Sequence, residues 1–160
     1  MKTEKANTCC TTGPRLIDES NCSAIRFALS QEIQSAIAQG YRLFLCGFDV
    51  GTDLLFAQEV IAQKRKYPIL LETVLPDPSR VKTADTLFHH LLSQCDAIQV
   101  YSPQFSHNCV LARNQYMADH SSRIIAVSGK QTFGIAAETI SYATQSAMDI
   151  RLINLVSGTS

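Results

Sequence analysis

Two hydrophobic periodicities take turns along this chain, and that alternation constrains its fold more tightly than any single motif. Short apolar runs rich in β-branched and aromatic residues read as buried strands at Thr8–Thr12 and at residues 42–46, 69–75, 97–101, 123–127 and 150–155. Segments with helical spacing lie between them. Ile25, Leu29, Ile33, Ala36 and Ile37 form one apolar stripe, and Leu54, Ala57, Val60 and Ile61 form another. Ala136, Ile140, Ala143 and Ala147 form a third, whose small side chains suit close packing on a sheet. Strand and helix repeated in this order predict parallel strands joined by crossovers, with helices on both faces. The expected fold is therefore α/β, a three-layer Rossmann-like sandwich with a mainly parallel sheet of about six strands.

A length of 160 residues suits one domain spanning residues 1–160. The formal net charge is zero, which argues against a protein that holds DNA or RNA through its phosphates. The one basic knot, Lys64-Arg65-Lys66, fits the C-terminus of a helix, where the dipole favours cations. The chain has no apolar run of the roughly 18 residues needed to span a bilayer, and its first ten residues lack a signal-peptide core. No membrane association is expected, and the expected location is cytoplasmic. The six cysteines form no CxxC pair and no zinc-spaced cluster, so they read as reduced, small hydrophobes. No metal and no cofactor is expected.

In a doubly wound sheet, ligands sit beyond the carboxyl ends of the strands. Four turns fall there. In "TTGPR", Gly13 relaxes the backbone and Arg15 projects a planar cation suited to phosphate or carboxylate, or merely solvated. In "LFLCGFDVGTDLLFAQEV", Gly47 and Gly51 bracket a turn before a helix, where free amides attract anions. Asp49 and Asp53 crowd that turn, and Asp53 suits either the helix dipole or a ribose hydroxyl. The spacing is neither GxGxxG nor a Walker loop. In the third turn, Asn108 is placed to cap a helix carrying Arg113 and Asn114 near its start. A buried Arg113 needs a partner, whether Asp119, Asp53 or a bound anion. The fourth is "QTFGIAAETI", where Gly134 opens the last helix and Glu138 lies one turn in, a weak candidate for general acid/base work. The irregular stretch "PDPSRVKTA", residues 76–84, reads as a lid or as slack.

Three of these segments carry a resemblance. Thr12-Gly13-Pro14-Arg15, the run from Cys46 to Asp53, and the run from Cys109 to Asp119 resemble motifs of the YpsA-like branch of the SLOG superfamily. That superfamily also includes LOG phosphoribohydrolases and the DprA/Smf proteins. The third match is the most specific, because seven chemically different positions agree without a gap. The resemblance covers the chain from Cys9 to about Asn154 and implies a Rossmann-like fold binding a nucleotide-derived ligand. It carries Gly13, Arg15, Gly47, Gly51, Asp53, Arg113, Asn114 and Asp119 as ligand-binding residues, with Thr12, Phe48 and Gly134 beside them. Pro14 stands where the family has histidine. Gly134-Ile135-Ala136 replaces the family's Gly-Gly-Thr, leaving fewer donors for a phosphate.

The leading expectation is a module that binds or senses a nucleotide-derived small molecule such as ADP-ribose, a nucleotide sugar or a nucleoside monophosphate. The alternative is a LOG-like phosphoribohydrolase that cleaves an N-glycosidic bond, so the sequence leaves open whether the protein is an enzyme. Single-stranded DNA binding ranks behind both, given the neutral charge and scarce aromatic surface. Small-residue helical faces are compatible with a homo-oligomer as well as with packing on the sheet.

Overall fold

Residues 4–129 and 134–155 are described by a computed structural model. Residues 131–133 of the fourth turn lie outside this range. The strands are β1 (Thr8–Thr12), β2 (Leu43–Cys46), β3 (Leu70–Leu75), β4 (Ala97–Val100), β5 (Arg123–Ser128) and β6 (Asp149–Asn154), each within one or two residues of its predicted bounds. They form a six-stranded sheet in the order β4-β3-β2-β1-β5-β6. All five pairings are parallel, from Thr8 opposite Leu43 to Ser128 opposite Asn154. β1 is central and buried at every position, as its uninterrupted apolar and threonine composition requires.

The helices are α1 (Glu19–Ala38), α2 (Thr52–Lys64), α3 (Thr86–Leu92), α4 (Cys109–Asp119) and α5 (Ile135–Gln145). One face of the sheet packs a core from α1, α2 and α3, in which Ile25, Leu29, Ile33, Phe56, Val60 and Phe88 meet Phe44 and Leu71. The other packs Met117 of α4 and Ala143 of α5 on Cys10, Leu45, Val74 and Ile124. The first two apolar stripes are buried as predicted. The third is only partly so: Ala136 and Ala143 are buried, but Ala147 lies past the end of α5 with φ 56° and is exposed. Thr139 takes the buried place instead, its hydroxyl donating back to the Ile135 carbonyl.

Short elements escaped the sequence pattern, among them two beside the cleft-forming strands. α3 forms because the Asp85 side chain accepts from the amides of Leu87 and Phe88, an N-cap followed by an apolar pair. Residues 76–84, expected to be irregular, are partly ordered. They include a 3₁₀ helix, Pro78–Lys82, whose cap Asp77 accepts from Ser79. Lys64 ends α2 as expected and pairs with Asp96. Among the described residues no helix is long and apolar enough to cross a membrane.

Candidate functional site

Strand order reverses at β1: β2, β3 and β4 lie to one side of it, β5 and β6 to the other. A doubly wound sheet opens a crevice at such a point. The crevice here is an open cleft of about 160 Å³. The loop after β1 contributes Thr12, Gly13, Pro14 and Arg15; the turn after β2 contributes Asp49 and Asp53. Val110 and Asn114 come from the start of α4, and Ile135 and Ala136 from the start of α5. The lining from the β1 and β2 turns is mainly polar, and that from α4 and α5 is apolar except for Asn114.

Of the residues expected at the site, Thr12, Gly13, Arg15, Asp53 and Asn114 line this cleft. The others stand behind it or away from it. Arg113 is completely buried, and its guanidinium is committed to the protein. Nη1 donates to the carbonyls of Gly47 at 2.8 Å and Val74 at 2.9 Å, Nη2 to the Asp49 carboxylate at 2.9 Å, and Nε to Asn114 Oδ1 at 2.8 Å. The required partner is thus Asp49, not Asp119, Asp53 or an anion. The Asp49 carboxylate neutralises Arg113. Asn114 in turn donates to Thr139 at 3.1 Å, tying α4 to α5.

Gly47 is required by this arrangement. A Cβ there would sit 2.5 Å from the Arg113 Cζ. Gly51, with φ 82°, and Gly13 allow the turns after β1 and β2 to touch: a Cβ on Gly51 would strike the Arg15 carbonyl, and one on Gly13 the Thr52 side chain. Thr52 completes the join, its amide and hydroxyl both donating to the Pro14 carbonyl at 3.2 and 2.9 Å. The first amide of α2 is therefore spent on the protein. The glycine turn is first a packing device that fixes where Arg15 and Asp53 stand.

Phe48 does not face the cleft. With φ 59° it turns its ring into the core, edge-on to Phe88 at 5.8 Å between ring centres. Asp119 closes the far end of α4, exposed, and accepts from the Tyr142 hydroxyl at 2.6 Å. Glu138 is exposed on α5 outside the cleft lining, and Gly134 caps that helix with φ 74°. Asn108 occupies the cap position of α4, but its side chain makes no capping bond. His107 and His120 are exposed. Cys46 and Cys109 are buried, and burial raises the Cys46 thiol well above its ordinary value.

Electrostatically the cleft rests on two groups. Asp53 is 6% exposed and accepts from the Asp49 amide at 3.2 Å. Burial, then the neighbouring Asp49 carboxylate, push its pKa up to about 7, against the opposing pull of Arg113. Arg15 is exposed, and among the described residues its side chain makes no hydrogen bond or ion pair. The sequence does not reveal Arg80, which approaches from the 3₁₀ helix and donates to the Phe48 carbonyl at 2.8 Å. Its only local signal was a cation in a proline-bounded loop. No group of three or more metal-ligating side chains occurs among the described residues.

An all-parallel α/β sheet with a cleft at its switch point, floored by an acid pair and rimmed by Arg15, which has no hydrogen-bond or ion-pair partner among the described residues, defines a Rossmann-like protein with an open crevice at its strand ends. A family profile described as the YspA SLOG family, YpsA, matches residues 17–157, and the chain belongs to that family. No curated protein matches it.

Proposed function

We propose that the cleft binds a nucleotide-derived small molecule through one anionic group on Arg15, with sugar hydroxyls at Asp53 and Thr12 and a flat base against Val110, Ile135 and Ala136. The supporting observation is the pairing, at the switch point, of an Arg15 with no partner among the described residues and an Asp53 whose pKa burial pushes up to about 7. A guanidinium with no protein partner suits phosphate or carboxylate. A carboxyl that holds its proton near neutrality can both donate to and accept from hydroxyls. Membership of the SLOG family is compatible with this reading. Because Arg113 is spent internally, Arg15 is the one uncommitted cation among the described residues lining the cleft, which favours a nucleoside monophosphate over a diphosphate such as ADP-ribose.

A thermal-shift screen of AMP, ADP-ribose and nucleotide sugars tests the proposal. Ligand at a hundredfold excess over Kd stabilises the folded state by about 2.7 kcal/mol, a rise of roughly 5–10 °C for a chain of this size. Arg15→Ala should remove that rise while changing the unliganded stability by no more than about 0.5 kcal/mol, since the side chain is exposed. A rise that survives Arg15→Ala refutes the assignment.

Asp53 also favours a second reading. An acid with a pKa near 7 is what protonation of a leaving base requires, so N-glycosidic hydrolysis would run through Asp53 and not through the exposed Glu138. Release of free adenine from AMP, lost in Asp53→Asn, decides for that reading; no release decides against it.

A further inference from the structure

We propose that Arg80 is a positioning residue for the cleft: through the Phe48 carbonyl it holds the turn that keeps Asp49 against Asp53 and Arg113. Its relevance to ligand rests on the function proposed above; its effect on Asp53 does not.

Three observations converge on it. Phe48 adopts a left-handed conformation, φ 59°, which a bulky residue keeps only when its surroundings enforce it. Two contacts do so. The ring is wedged against Phe88, and the carbonyl accepts from Arg80 Nη2 at 2.8 Å. The Arg80 guanidinium lies over the Phe88 ring, 4.4 Å from its centre, so one aromatic side chain braces both the bent residue and the cation that holds it. Arg80 Nε is buried with no partner. A buried unpaired donor is costly and calls for an explanation, and the Phe48 contact with the stack supplies one.

The strap that carries Arg80 is anchored independently. Asp77 caps the 3₁₀ helix through Ser79 and meets the Cys109 thiol at 3.7 Å, at the start of α4. The segment is thus pinned to both sides of the cleft, to the β2 turn through Arg80 and to α4 through Asp77. Phe48 immediately precedes Asp49, whose amide bonds Asp53 and whose carboxylate bonds Arg113. A change in the Phe48 carbonyl is passed to Asp49 across one peptide unit.

The groups facing Asp53 are Asp49, Arg113 and Arg15, with the thiols of Cys46 and Cys10 behind. Those acting on Arg80 are Asp49, Arg15, Asp85 and Arg113. This arrangement separates positioning from a plain charge effect by sign. If Arg80 acted only as a nearby cation, removing it would disfavour the Asp53 carboxylate and raise its titration midpoint. If it positions the turn, its loss lets Asp49 move away and water enter. The two largest causes of the raised value then relax; the Asp49 amide bond, which lowers it, is lost as well but is the smaller contribution, and the midpoint falls.

The experiment is a carboxyl 13C NMR titration of the full chain, with the Asp53 signal assigned by its loss in Asp53→Asn. Wild type is compared with Arg80→Met, which keeps the apolar stem but no donor, and with Arg80→Lys, which keeps a donor. The expected result is a midpoint at least 0.5 pH unit lower in Arg80→Met and close to wild type in Arg80→Lys. A midpoint in folded Arg80→Met that is unchanged, or higher, overturns the proposal. Should Arg80→Met not fold, Arg80→Gln, too short to reach Phe48, is judged by the same criterion. AMP-induced thermal stabilisation is measured in parallel. An AMP shift that weakens in Arg80→Met supports positioning. The lower midpoint with no AMP shift in wild type sinks the ligand reading alone.

Discussion

The burial of Asp53 makes the stability of this protein depend on pH in an unusual sense, and Asp53→Asn exposes it. The carboxyl has a folded pKa of about 7 against an ordinary value of 3.8, because burial and Asp49 disfavour its charged form. Between those two values the folded protein holds a proton that the unfolded chain has released. Stability must therefore fall as pH rises through this window, and the loss is complete above about pH 7. Between pH 5 and pH 8 the fall spans about two pKa units, or about 3 kcal/mol at roughly 1.4 kcal/mol per unit. At 6% exposed, Asp53 leaves little room for solvent screening to reduce this. Asparagine mimics the neutral acid and cannot ionise. Urea unfolding of both proteins at pH 5, 6, 7 and 8 isolates the Asp53 contribution, since other titrating groups cancel in the difference. Relative to Asp53→Asn, wild type should lose about 3 kcal/mol over that range. A difference that is flat with pH, or that grows in favour of wild type, refutes the account of the acid pair.

Gly47→Ala should cost about 3–5 kcal/mol in urea unfolding, comparable to breaking a buried ion pair, because the added Cβ meets Arg113 Cζ at 2.5 Å and that guanidinium is held on all sides; a cost below about 1 kcal/mol would show that Arg113 can yield. Thiol labelling of native protein at pH 8 should modify Cys22 first. Cys9, Cys10, Cys46 and Cys109 are buried, and the Cys95 thiol is pushed up to about 12 by burial. Several fast-reacting thiols would contradict the packing described.

Much of the scaffold was legible in the residues. Strand positions emerged within one or two residues because a parallel sheet covered on both faces demands continuous apolar runs, and glycines and helix stripes mark where those runs stop. α3 escaped because seven residues give too short a stripe to read; only the Asp85 cap marked it. Ala147 was misassigned to the last helix because alanine fits a stripe whether or not the chain is still helical. Thr12, Gly13, Arg15, Asp53 and Asn114, singled out from their turns, line the cleft. The role of Arg113 was not, since its partner Asp49 lies 64 residues away in sequence. Arg80, 32 residues from the carbonyl it binds, was likewise out of reach.

The sequence by itself determined the layers, the parallel sheet and the strand ends where a cleft forms, because hydrophobic periodicity and turn chemistry are local properties that each segment carries with it. Only the tertiary structure decided which charges in that cleft are spent and which remain. Whether Arg113 braces a turn, Asp53 keeps its proton or Arg15 stands uncommitted depends on distances between distant segments and on the water excluded when they meet.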